Sequence, residues 1–162
     1  MSKPVIGFIG LGLMGGNMVE NLQKKGYPLV VMDLNPEAVN VCVERGAKAA
    51  NTPKELAEQA DIVMLCLTTS AVVEKVIFGE NGLAEGMKQG STLIDFGTSV
   101  PASTRKIGEA LAKIGVGMVD APLGRTPAHA KDGLLNIMAA GNKDTFEKVR
   151  PVLEDQGENV FY

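Results

Sequence analysis

The sequence predicts an α/β fold in which helices cover both faces of a doubly wound, mostly parallel sheet. Three observations lead there: apolar runs of strand length recur along the chain, segments of helical period separate them, and the first junction carries a glycine-rich turn. The 162 residues are one domain's worth, since compact domains most often run to ~100–150 residues. With no internal repeat, linker or charge block, residues 1–162 read as a single unit.

Taken in order, Val5–Ile9, Leu29–Met32, Ile62–Leu67, Thr92–Phe96, Gly117–Val119, Leu134–Ala139 and, more weakly, Asn159–Phe161 are β-branched or otherwise apolar. Such runs suit strands buried on both faces. Between the first two, Met14, Met18 and Leu22 recur four apart within Met14–Lys25, and Gly26 stops the helix. Thr52-Pro53-Lys54-Glu55 is a start signal, with Thr as N-cap, Pro at the first helical position and Glu closing a capping box. Pro101 starts Ala102–Ile114, and Asn142 or Asp144 caps the segment around Phe146 and Val149, which Pro151 is expected to kink or divide.

Composition excludes several functions. Sixteen Lys and Arg against nineteen Asp and Glu leave a net charge of −3 and no basic stripe, which argues against a nucleic-acid partner or an anionic membrane surface. No stretch approaches the ~18 apolar residues of a membrane span. Met1–Pro4 carries no signal-peptide pattern, and Cys42 and Cys66 sit singly in apolar runs as buried reduced thiols. Together these point to the cytoplasm. No His, Cys and carboxylate group has metal-ligand spacing, and there is no Gly-x-Ser-x-Gly elbow.

The surplus is glycine, nineteen residues where usage of ~7% would give fewer. Gly10-Leu11-Gly12-Leu13-Met14-Gly15 follows an apolar run and opens an amphipathic helix, the context a dinucleotide fingerprint requires. Gly10 permits the tight turn, Gly12 lets the backbone approach a pyrophosphate, and Gly15 lets helix and strand pack closely. Free N–H groups at the helix start supply donors and partial positive charge.

Asp33 ends the second apolar run, eighteen residues after Gly15. A carboxylate there accepts ribose hydroxyls and repels a 2′-phosphate, and Leu34 stands where an NADP enzyme would gain from an arginine. NAD is therefore expected over NADP. Capping the segment led by Asn35-Pro36-Glu37 is the plainer role for Asp33.

Gly7–Gly15 resembles the opening of the β-hydroxyacid dehydrogenases, the group that includes 3-hydroxyisobutyrate dehydrogenase, tartronate semialdehyde reductase and the N-terminal domain of 6-phosphogluconate dehydrogenase. The resemblance continues through Phe78-Gly79-Glu80-Asn81-Gly82, Leu93-Ile94-Asp95 with Thr98 and Pro101, Asp120-Ala121-Pro122, and Gly133-Leu134-Leu135 with Gly141. It implies reversible hydride transfer between a nicotinamide and a short hydroxy acid or its semialdehyde. It further implies that Leu67 packs along the cofactor and that Thr98 lies beside the nicotinamide; unaided, Leu67 reads as core and Thr98 as a turn residue. Thr68 and Gly97 depart from the Pro and Ser the family often has beside them.

The substrate loop departs further. Where most members have Val-Ser-Gly-Gly after Asp-Ala-Pro, this chain has Leu123-Gly124-Arg125-Thr126. The Gly-Arg-Thr run resembles the sulfolactaldehyde reductase branch, in which those positions hold a sulfonate, and an arginine fork beside a hydroxyl and a backbone N–H suits a small anionic substrate. A surface arginine in an exposed ion pair is the plainer reading of Arg125. His129, the single histidine, has no evident partner and is not read as a base, while Asp95 and Asp120 fit either paired acids or strand-end turn caps. Met14 is placed to touch the pyrophosphate turn.

In this family a lysine beyond the last strand protonates the developing alkoxide, and a helical C-terminal domain closes the site and drives oligomerisation. The chain ends at Tyr162 with no matching lysine, so the expectation is a cofactor domain that binds NAD(H) without turnover. Rival readings are a stand-alone dinucleotide-binding or redox-sensing module and an S-adenosylmethionine-dependent methyltransferase.

Overall fold

The structure, a computed structural model, describes residues 2–162. The chain begins β1 (Ile6–Ile9), α1 (Leu13–Lys24), β2 (Leu29–Met32), α2 (Pro36–Glu44), β3 (Lys48–Ala49) and α3 (Pro53–Gln59). It continues β4 (Ile62–Leu65), α4 (Ser70–Phe78), a 3₁₀ turn (Leu83–Glu85), β5 (Thr92–Asp95), α5 (Pro101–Ala112) and β6 (Gly117–Asp120). The last third holds β7 (Leu123–Gly124), α6 (Pro127–Lys131), β8 (Leu135–Met138), β9 (Ala140–Gly141), α7 (Lys143–Glu154) and β10 (Gly157–Phe161).

The main sheet has the order β3-β2-β1-β4-β5-β6-β9, all parallel except β9. Its chain order reverses between β1 and β4, and the crevice at the C-terminal ends of those strands is where open α/β sheets take ligands. Registers are tight across this centre, with Ile9 opposite both Met32 and Leu65, and Leu65 opposite Asp95.

Both faces are buried, and alternate residues of one strand feed different cores. Along β4, Ile62 and Met64 join a cluster with Met18, Leu22, Cys42 and Phe146 from α1, α2 and α7, while Val63 and Leu65 join one with Leu56, Ile77 and Leu111 from α3, α4 and α5. Burying one such side chain contributes roughly 1.5–3 kcal/mol. Among the described residues no helix is long and apolar enough to cross a membrane.

Two expectations change. The runs Leu134–Ala139 and Asn159–Phe161 do form strands, but β8 and β10 belong to a separate three-stranded sheet ordered β10-β8-β7. The helix α7 runs unbroken through Pro151, because the ring sits on the exposed side and the carbonyl it leaves without a donor is that of the exposed Glu147. The helix α4, capped by the Thr69 hydroxyl accepting from Val72 N–H, had no clear period to announce it.

Candidate functional site

Beyond Ile9 the chain must turn sharply to enter α1. Gly10 does so at φ +103°, and a Cβ there would lie 2.2 Å from the Cys66 carbonyl oxygen. A Cβ on Gly15 would lie 1.8 Å from the carbonyl oxygen of Gly10, so helix and turn meet backbone to backbone. Gly12 differs from both: nothing stands within 4 Å of where its Cβ would be. That opening faces the start of α1, where Gly12 is an N-cap without a side chain and the first turn carries no acidic residue. Gly16 N–H donates to the Gly12 carbonyl at 2.7 Å. Among the described residues, the N–H groups of Leu13, Met14 and Gly15 have no acceptor. Three free donors beside open space at a helix N-terminus could cradle a phosphate or pyrophosphate. Leu11 is buried, Leu13 is 76% exposed, and Met14 is half-buried against the core.

Asp33 follows β2 at the rim of this cradle. Its Oδ2 accepts from the N–H of Leu11 at 2.6 Å, and its Oδ1 from the N–H of Asn35 at 2.8 Å. Asn35, not Asp33, caps α2, accepting from Glu37 N–H. The capping alternative for Asp33 is thereby corrected: the carboxylate braces the glycine turn and the cap, and keeps acceptor capacity free on both oxygens. Leu34 is 98% exposed.

On the other half of the crevice, the loops after β4 and β5 touch each other. The Leu67 side chain lies against Gly10, with Cδ2 3.2 Å from the position of a Gly10 Cβ, and a Cβ on Gly97 would stand 2.9 Å from the Leu67 carbonyl oxygen. Ser70 Oγ accepts from Val100 N–H at 2.9 Å, closing the two loops together. Leu67 is partly buried, and Thr98, between Gly97 and Ser99, is exposed. Both sit at the edge of the crevice beside the glycine turn.

Beneath Thr98 lies a pair of carboxyls. Asp95 ends β5, Asp120 ends β6, and the two are register partners, so their side chains leave the same face. Asp95 is fully buried and caps its own turn, accepting from Gly97 N–H and Ser99 Oγ, both at 2.9 Å. Among the described residues, no donor reaches the buried Oδ1 of Asp120. Burial pushes Asp95 above the usual carboxylate range against those two hydrogen bonds, and burial followed by the charge of Asp95 raises Asp120. Cys66, only partly buried and not enclosed as expected, has its thiol pushed up to about 11 by burial and then by Asp95.

The segment after Asp120 crosses to the second sheet. Ala121 N–H donates to the Asp95 carbonyl, and β7 pairs antiparallel with β8, Gly124 opposite Asn136. Arg125 follows at φ +79°, a conformation that costs a residue with a Cβ about 1–2 kcal/mol. Its guanidinium reaches across β8, donating to the Leu134 carbonyl at 2.9 Å and pairing with Glu158 on β10. The Thr126 hydroxyl meets His129 Nδ1 at 2.7 Å, giving the histidine the partner that sequence reading did not find. Asn17 on α1 donates to the Pro127 carbonyl at 2.9 Å, pinning this loop beside the helix that opens at the cradle.

The chain matches the family described as the NAD binding domain of 6-phosphogluconate dehydrogenase over residues 5–162. It is 37% identical over 161 residues to a probable mitochondrial 3-hydroxyisobutyrate dehydrogenase of Dictyostelium discoideum, covering 99% of this chain and 50% of that protein. It is 38% identical over 155 residues to 3-sulfolactaldehyde reductase of Escherichia coli, covering 96% and 52%. The structure of Mycobacterium tuberculosis 3-hydroxyisobutyrate dehydrogenase with L-serine superposes with a TM-score of 0.92 at 27% identity, over 99% of this chain and 54% of that one. Solved structures of this fold carry NADP+ as well as NAD+. The chain spans about half the length of the curated relatives it matches.

Proposed function

Because the chain belongs to the family of the NAD binding domain of 6-phosphogluconate dehydrogenase, we propose that it is the cofactor-binding part of an NAD-dependent oxidoreductase acting on a short anionic hydroxy acid or semialdehyde. The observation that carries this reading is the open cradle at Gly12, with three unengaged N–H groups and the Asp33 carboxylate at its rim. A bound nicotinamide would supply or accept the hydride. The chain's own residues bind and orient it: Gly10 to Gly15 hold the pyrophosphate, Asp33 the adenosine ribose, and Leu67 and Thr98 the nicotinamide side. Asp33 and Leu34 favour NAD, because a 2′-phosphate would meet a carboxylate and find no cation there.

On the substrate, Gly124, Arg125 and Thr126 form the anion clamp, Arg125 by its guanidinium, Thr126 by its hydroxyl and Gly124 by leaving room beside them. The likeness to a 3-sulfolactaldehyde reductase at 38% identity supports a sulfonate as the anion. Glu158 is the group such an anion would replace on Arg125. Calorimetry with NADH, NADPH and S-adenosylmethionine tests the cofactor reading: NADH binds tightest, and tighter NADPH or S-adenosylmethionine binding would overturn it. In the whole protein, Arg125→Ala raises KM for sulfolactaldehyde about tenfold, the loss of one charge-assisted contact; an unchanged KM would remove Arg125 from the site.

A further inference from the structure

The carboxyl pair has no part in holding phosphate, ribose or substrate, yet it lies under the loop that carries Thr98. Asp95 and Asp120 are cross-strand partners on adjacent parallel strands, and neighbouring strands stand about 4.8 Å apart. Asp95 is fully buried and Asp120 half-buried with its Oδ1 enclosed, and two carboxylates on adjacent strands in such surroundings hold charge together less cheaply than in water. Their surroundings divide the roles. Asp95 has two donors, Gly97 N–H and Ser99 Oγ, which favour its charged form, whereas Asp120 Oδ1 is buried without one. A proton on Asp120 removes the unpartnered charge and leaves Asp95 ionised to hold residues 97–99.

Among the described residues no cation is set against the pair. Neither the donors on Asp95 nor the influences on Asp120 include a cation. The charged residues of α5 and α7 are exposed, with Lys106 turned outward to Glu74 on α4, and β9 places Ala140 opposite Asp120. The other titratable group on which Asp95 acts is the Cys66 thiol, itself held neutral.

The pair also sits on a particular half of the sheet. In a doubly wound dinucleotide fold each half takes one nucleoside; Asp33 marks the β1-β2 half for adenosine, leaving the ends of β4, β5 and β6 for the nicotinamide. We propose that, above the pH at which free carboxylates ionise, Asp95 and Asp120 still hold one proton between them, carried by Asp120, and that the pair releases it under an oxidised, cationic nicotinamide and keeps it under a reduced, neutral one. Asp120 is then a positioning residue, acting through Asp95 on the Thr98 loop, and the coupling to cofactor redox state rests on the proposed dinucleotide function.

Two measurements test this on the chain as it stands. Infrared difference spectroscopy without cofactor shows the carbonyl band of a protonated carboxylic acid persisting above the pH at which free carboxylates ionise. The band is absent in Asp120→Asn, and in Asp95→Asn, where Asp120 no longer faces a like charge, it is lost at lower pH. A wild-type spectrum without that band overturns the shared proton, whatever the variants do. Calorimetry in buffers of different ionisation enthalpy then finds proton release with NAD+ and none with NADH, and the affinity ratio of NAD+ to NADH rises by up to tenfold per pH unit through the titration. Equal proton counts overturn the coupling while the cofactor reading stands. Failure of both nucleotides to bind overturns that reading and the coupling with it, and the infrared band still decides the shared proton.

Discussion

The carboxylate of Asp33 accepts the N–H of Leu11 at 2.6 Å, across twenty-two residues of sequence. The residue proposed to hold the ribose is therefore also a brace of the glycine turn. Asp33→Asn keeps an acceptor for Leu11 but removes the charge, so NADH affinity falls about tenfold, the loss of one charge-assisted contact. NADPH affinity falls less, because repulsion of the 2′-phosphate is relieved at the same time. Calorimetry with both cofactors checks it, and a proportional loss for the two would show that Asp33 acts on the turn alone.

The three turn glycines separate into two kinds. Gly12→Ala places a methyl in open space, so the melting temperature is unchanged while dinucleotide affinity drops at least tenfold, since the methyl occupies the approach of the pyrophosphate. Gly15→Ala drives a methyl to 1.8 Å from the Gly10 carbonyl oxygen and destabilises by about 1–3 kcal/mol, the usual scale of overpacking. Thermal melts with and without NADH distinguish them. Equal melting losses for the two variants would contradict the geometry.

The cradle was legible in sequence because its parts are contiguous: a strand, a fixed glycine spacing and a helix lie within twenty residues. Asp33 was legible because it ends an apolar run, but its bond to Leu11 was not, as no local pattern reports a contact made by folding. The second sheet escaped for a different reason. Leu134–Ala139 is as apolar as the main-sheet strands, and only Asn136 within it hints at a half-buried strand with Leu135 and Ile137 alternately inside. The pairing of Thr126 with His129 did have a signal, since Thr126-Pro127-Ala128-His129 repeats the spacing of Thr52-Pro53-Lys54-Glu55 with histidine as the partner at the third helical position. Glu158 carried none, being thirty-three residues from Arg125.

Cys66 is the thiol nearest the crevice, and it is a poor nucleophile there. Burial and the negative charge of Asp95 both disfavour the thiolate, and with a pKa near 11 the group stays protonated through neutral and mildly alkaline pH. Peptide-resolved alkylation with iodoacetamide is slow at pH 8 and accelerates as pH climbs toward 11. Asp95→Asn removes one of the two causes, so the midpoint moves down. A reactive Cys66 at pH 7 in the folded chain would contradict its placement.

Arg125 combines a strained backbone with an exposed ion pair. Replacing it by glycine relieves about 1–2 kcal/mol at φ +79°, while the partly exposed pair with Glu158 returns no more than ~1 kcal/mol. Arg125→Gly is therefore at least as stable as the wild type, and Arg125→Ala, which keeps the Cβ at that angle, is less stable than Arg125→Gly. Strain tolerated at a position that gains little stability in return is the observation behind the binding role proposed for Arg125. In the NADH-loaded chain, affinity for a short alkyl sulfonate falls about tenfold in both variants, the magnitude of one charge-assisted contact. If glycine melts lower than arginine and sulfonate affinity is unaltered, Arg125 is a structural residue and the clamp lies elsewhere.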